Sequence, residues 1–237
     1  ISIPTARDIF GVDREGIPLI ELEGVYTKKK KKDFILHKSY RNPRIILMLA
    51  HVFGMGLLRK NGSIQFIPKA DAWEDLGYKI VKGVFEVGST ITITRLDENS
   101  PNTIEKYIPS KDLVKIKTFD DKESELLWIS ENIYKDIMEE KLRPEDILVI
   151  GFNRTGLFDQ FDYLKKCLLE KGIYSFIIGK DVGRDTFRVP NSITLSTVFK
   201  AKGNESPIVY IFNFENSESN DKIIQTRNMA FASITRT

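Results

Sequence analysis

The sequence predicts an α/β domain, a mostly parallel sheet flanked by helices and carrying a small antiparallel β insertion. Three observations predict it. Beyond residue 120, apolar runs at 147–150, 174–178, 193–197 and 208–212 alternate with stretches whose apolar residues recur at helical spacing. The runs are apolar without alternation, as strands are when helices cover both sheet faces. Strand–helix–strand order with short turns then implies parallel pairing. Between residues 60 and 118 the style changes to short β-like runs separated by the turn signals Asn61-Gly62 and Val87-Gly88.

Taken in order, 34–36 reads as a short strand. Asn42-Pro43 reads as a helix start with Asn as cap and Pro in the first helical position. Ile45, Ile46, Leu49 and Val52 continue that helix. Runs at 63–68, 78–85 and 90–96 read as strands, which divides the chain into 1–59, an insertion at 60–118, and 119–237. Asp120-Asp121-Lys122-Glu123 resembles a capping box, and Leu126, Ile129, Ile133 and Ile137 follow on one helix face. Pro144 closes that segment ahead of the first buried strand. Leu157, Phe161, Leu164 and Leu168 mark a second amphipathic helix, with Gly172 expected as its left-handed terminator. A last helix is expected at 221–233.

With 237 residues, 41% hydrophobic and 29% charged, the chain has the length and composition of a globular protein with a sizeable core. No apolar run approaches the roughly 18 residues of a membrane span, so no membrane partner is expected. The chain opens Ile-Ser-Ile-Pro-Thr and stops at Ile234-Thr-Arg-Thr237, and both ends are expected to be boundaries within a longer protein. One cysteine, Cys167, excludes an internal disulfide framework. With only two histidines it also argues against a structural zinc site, so no metal ligands and a reducing, cytoplasmic setting are expected. The net charge of +3 is too small to prove a nucleic-acid partner. The five lysines at 28–32 read first as a solvated loop and second as a phosphate-steering patch.

Two segments invite a chemical reading. Gly151-Phe-Asn-Arg-Thr-Gly156 has the glycine spacing of a P-loop, but Leu157 and Phe158 stand where such a loop needs Lys and Ser/Thr. It therefore reads as an ordinary strand-to-helix turn, and no other segment supplies a P-loop. Ile193-Thr-Leu-Ser-Thr197-Val-Phe-Lys-Ala-Lys202-Gly203-Asn-Glu205 runs from a buried strand into a turn bearing Thr, Lys, Gly and Glu. In open α/β sheets ligands bind at that place, outside the carboxyl end of a strand.

This second segment resembles motif V of superfamily 1 helicases of the UvrD/Rep/PcrA type, a strand followed by Thr-x-His-x-x-Lys-Gly-x-Glu and another apolar strand. Thr197, Lys202, Gly203 and Glu205 match; Phe199 stands in place of the usual His and Ser206 in place of an aromatic residue. The segment from Arg227 to Arg236 resembles motif VI, and Tyr40-Arg41, behind an apolar run and ahead of an apolar helix, resembles motif IV. The resemblance covers residues 33–55 and 120–237 and implies the second, C-terminal RecA-like domain of such a helicase. It implies that Tyr40 stacks on adenine, that Arg41 and Arg236 contact the γ-phosphate in catalysis, and that Gly203 and Glu205 complete the ATP-binding set. It implies nucleic-acid contacts from Thr197, Phe199, Lys200 and Lys202, with Arg154 as a phosphate contact. ATP and Mg²⁺ would be the parent enzyme's cofactors, none held tightly by this chain alone. The implied partners are a missing N-terminal RecA-like domain of the same protein and single-stranded DNA or RNA. The large helical insertion usual before motif V is absent here. The alternative expectation is a degenerate helicase-like module that binds nucleic acid or protein without an ATP cycle.

Overall fold

The computed structural model describes residues 11–16, 36–86, 88–152, 155–218 and 223–237. The chain divides into two compact units, one formed by 1–39 with 67–99 and the other by 40–66 with 100–237.

The larger unit is the predicted α/β body. Four strands, β3 (Ile147–Gly151), β4 (Tyr174–Ile177), β5 (Ser192–Thr197) and β6 (Ile208–Phe212), pair in the order β4-β5-β3-β6, parallel throughout. Within the strands, alternate residues feed different layers. Ile147 and Val149 of β3, with Ile193 and Leu195 of β5, face a core shared with helices α4 (Lys122–Met138) and α5 (Leu157–Leu169). Leu148 and Ile150 face a second core built with Ala230 and Met229 of α6 (Ile223–Ile234) and Phe53 of α1 (Arg44–Met55). Both sheet faces are thus covered, which explains the unbroken apolar runs. Helices α1 and α6 approach so closely that a Cβ at Gly54 would lie 2.9 Å from Phe231 Cβ.

Local chemistry explains the boundaries. Asp121 caps α4 by accepting a hydrogen bond from the Ser124 backbone N–H at 2.7 Å, and those contacts hold its carboxyl below the usual carboxylate range. Gly172 ends the turn after α5 at φ 75°, the left-handed conformation expected of it.

The start of α1 differs from expectation. Pro43 occupies the cap position, at φ −53° and ψ 150°, with no side-chain cap, and the helix begins at Arg44. Glu105 serves instead, accepting from the Ile45 N–H at 3.0 Å and pairing with Arg44 at 3.2 Å. A carboxylate there also suits the positive end of the helix dipole. Asn42 is thereby free to bind elsewhere.

No strand forms at 63–68. The N–H groups of Ile64 and Gln65 both donate to the Met55 carbonyl, which turns the chain at the end of α1 instead of extending it. Residues 100–113 hold one 3-10 turn, Ile104–Lys106, and the short helix α3 (Ser110–Leu113), and they belong to the larger unit with 60–66. Of the strand expected at 34–36, only Leu36 is described, and it is not in a strand.

In the smaller unit, β1 (Tyr78–Lys82) and β2 (Thr92–Arg95) form an antiparallel pair beside helix α2 (Ala70–Asp75). Trp73 and Tyr78 meet edge-to-face at 5.4 Å beneath it. Arg95, 2% exposed, donates to the carbonyls of His37 and Asn99 at 2.7 Å and of Leu76, tying the pair to its flanking segments.

Candidate functional site

The connection 198–207 between β5 and β6 leaves the carboxyl end of the sheet, where the register puts Thr197 level with Gly151. Its two halves lead to two groups of side chains.

At the far half, residues distant in sequence converge. Arg41 Nε lies 3.1 Å from the Glu205 carboxylate, and Arg41 Nη2 donates to the Thr235 carbonyl at 2.7 Å. Asn42 donates to the Thr237 carbonyl at 2.6 Å and weakly to that of Thr235. Arg236 donates from Nε to the Ala232 carbonyl at 2.9 Å and from Nη1 to that of Asn204 at 3.5 Å. The backbone closes the same circuit, with Ser206 N–H donating to the Arg236 carbonyl at 2.9 Å. Burial lowers the Arg236 pKa, the like charge of Arg41 lowers it further, and Glu205 opposes both. Arg41 and Glu205 are about half exposed, so their ion pair places the groups more than it stabilises the fold. Tyr40 is 73% exposed next to Arg41, with its ring open to a stacking partner. Gly203 makes no side-chain contribution; at φ 89° it permits the reversal between Lys202 and Glu205.

At the near half, a cavity of about 280 Å³ is lined by Phe152, Leu157, Phe158, Thr197, Phe199, Lys200 and Met229, among others. Phe199 is 54% exposed at its wall. Thr197 Oγ1 accepts from the Lys200 N–H at 3.3 Å, shaping the turn. Lys200 Nζ donates to the Ile178 carbonyl at 2.6 Å and lies 5.6 Å from the centre of the Phe158 ring. Lys202 is exposed and does not line the cavity. Arg154 lies outside the described residues.

The structure therefore brings Arg41, Glu205 and Arg236 together, and Thr197, Phe199 and Lys200 together. Sequence reasoning did not bring Phe158 and Met229 to the cavity or Asn42 to the carbonyls of Thr235 and Thr237. Phe158 was legible as an aromatic residue one position into a helix at a strand's carboxyl end.

The glycine-spaced turn at 151–156 is packed at its first residue. A Cβ at Gly151 would meet Leu157 Cδ1 at 2.3 Å and the Phe212 ring at 2.8 Å, so Gly151 serves close packing. Arg41 and Arg236 present guanidinium groups with five donors each, the chemistry that suits an anion with several oxygens.

No family model, curated protein or solved structure matches the chain.

Proposed function

We propose that this chain is the second RecA-like motor domain of an ATP-dependent helicase or translocase of the superfamily 1 UvrD/Rep/PcrA type. The observation that carries this reading is the convergence of Arg41, Glu205 and Arg236. These residues match three separate motifs of the resemblance, and Arg41 donates to Thr235 across 194 positions of sequence.

ATP with Mg²⁺, when bound, supplies the phosphoanhydride whose hydrolysis drives the cycle. A partner domain of the same protein supplies the P-loop and the Mg²⁺-binding carboxylates, since the chain contains no Gly-x-x-x-x-Gly-Lys-Ser/Thr sequence. Arg236 is held by backbone carbonyls and presents its charge where negative charge develops on the transferring phosphoryl group. Arg41 exchanges Glu205 for a phosphate oxygen, and Tyr40 offers its ring to the adenine. Phe199 and Thr197, with Lys200 and Lys202, meet the single strand of DNA or RNA through stacking and phosphate attraction. Because 198–207 carries Phe199 and Lys200 as well as Glu205, a displacement at Glu205 is passed along the same connection to Phe199.

In the protein that joins this chain to its P-loop domain, Arg236→Ala lowers ATP turnover by about 10³-fold or more, as for other arginine fingers. Single-strand affinity stays largely unchanged. Normal turnover in that variant refutes the role of Arg236. ATPase activity from chain 1–237 alone refutes the two-domain reading. A protein that binds the strand but shows no nucleotide dependence is the degenerate module instead.

A further inference from the structure

The loop 178–191 between β4 and β5 brings a residue to the arginine cluster that no motif marks. Arg188 Nη2 donates to the Glu205 carbonyl oxygen at 3.2 Å. Glu205 is the residue whose carboxylate holds Arg41, and its neighbour Asn204 receives Arg236. The arginine's backbone is fixed on both sides. The carbonyl of Phe187 accepts from Thr194 Oγ1 at 2.7 Å, and that of Val189 accepts from the Ser192 N–H at 3.2 Å. The Phe187 ring packs against the core beneath α6. Only the guanidinium end is left to choose its partner. It goes to a neutral carbonyl beside two other cations.

We propose that Arg188 is the third cation of a three-arginine site on residues 204–205 that takes the oligophosphate tail of a nucleotide. The inference rests on the nucleotide reading given above and adds a residue to it. Among the side chains of this hydrogen-bonded group Glu205 is the one carboxylate set against Arg41, Arg188 and Arg236, so the side chains carry an excess of positive charge. The like charge of Arg41 already acts on Arg236, and an anion relieves that repulsion. Three planar donor forks, each bonded to one dipeptide, suit a ligand with several oxygens along a chain. A single phosphate ester of a nucleic-acid strand fills one fork and leaves the others unmet.

The test is titration of chain 1–237 with inorganic tripolyphosphate at low ionic strength, followed by calorimetry, with a single-stranded oligonucleotide as the second ligand. Wild type binds tripolyphosphate weakly. Arg188→Ala and Arg188→Gln each weaken it by about three- to fivefold, the scale of one exposed ion pair, and Arg188→Lys keeps most of the affinity. Gln retains a donor for the Glu205 carbonyl without the charge, so full affinity in Arg188→Gln makes Arg188 a structural tie and overturns the inference. Wild-type tripolyphosphate affinity in Arg188→Ala, with Arg41→Ala and Arg236→Ala weakened, overturns it and leaves the nucleotide reading standing. Weakening confined to the oligonucleotide also overturns it. Absence of tripolyphosphate binding, or indifference to all three arginines, removes the nucleotide reading and the inference together.

Discussion

Replacing Gly151 with alanine adds one methyl group at the carboxyl end of the central strand. The new carbon would sit 2.3 Å from Leu157 Cδ1, 2.8 Å from Phe212 Cζ and 3.1 Å from Phe161 Cζ. Carbon atoms pack at about 3.5–4.0 Å, so the Leu157 contact is short by more than an ångström. The two rings are fully buried and meet edge-to-face at 5.5 Å, which leaves them little room to retreat. Leu157 must leave its rotamer, at about 0.5–1.5 kcal/mol, or α5 must move off β3. Overpacking of this kind costs about 1–3 kcal/mol, or roughly 2–12 °C in Tm at about 2–4 °C per kcal/mol for a chain of this size. Urea unfolding followed by circular dichroism measures it. The diagnostic is the pair with Leu157→Ala. Alone that change opens a cavity at about 2–5 kcal/mol, whereas on the Gly151→Ala background it costs at least about 1 kcal/mol less because the methyl group fills part of the space. Strict additivity, or a Gly151→Ala protein within about 0.5 kcal/mol of wild type, refutes the packing account of this glycine.

Arg227, 1% exposed, donates to the Phe53 carbonyl at 3.1 Å and pairs with Glu218. Arg227→Ala costs about 2–4 kcal/mol, and Arg227→Met recovers about half by keeping the stem volume; equal losses in the two variants refute a packing share. The Glu125 carboxyl, which accepts from the Asn213 N–H, is raised above the ordinary carboxylate range by burial first, with Asn213 opposing. A raised folded pKa means that the native state holds the proton longer, so stability falls as pH rises through the window between the unfolded and folded values. Glu125→Gln removes that loss while keeping an acceptor for Asn213, so its Tm advantage over wild type grows from pH 4 to pH 7. A difference independent of pH counts against it.

How much of this was legible in the sequence depended on whether a residue's role was set by its neighbours in the chain. Strands β3 to β6 were legible because burial on both faces demands unbroken apolar runs, and α4 and α5 because one face repeats at helical spacing. Asn42 was misread because its carbonyl partners lie beyond residue 234, while the α1 cap came from Glu105, 60 positions away. The run 63–68 looked like a strand, yet its amides were claimed by the end of α1. Arg41, Glu205 and Arg236 stood out through motif resemblance alone; nothing in composition links them. Arg188, one of two arginines in the loop 178–191 and 17 residues before Glu205, carried no pattern at all.

The proposed site has a physical consequence that follows from where its charges sit. Arg41 and Glu205 are about half exposed, and a pair of unit charges near 4 Å is worth about 1 kcal/mol in water. At the effective dielectric of a covered surface the same pair is worth about 4 kcal/mol. The arginines are already aimed by the carbonyls of Thr235, Ala232 and Asn204, so covering them strengthens their pull on phosphate without a large rearrangement of the chain. Covering also strengthens the hold of Glu205 on Arg41, so the ligand must outbid that carboxylate within a cluster whose remaining charge is positive. A phosphate chain carrying several negative charges does so, and a singly charged anion does not. On this reading the chain alone is a weak anion site, and closure of a second domain over Arg41 and Arg236 is what makes phosphate binding strong enough to drive movement at Phe199.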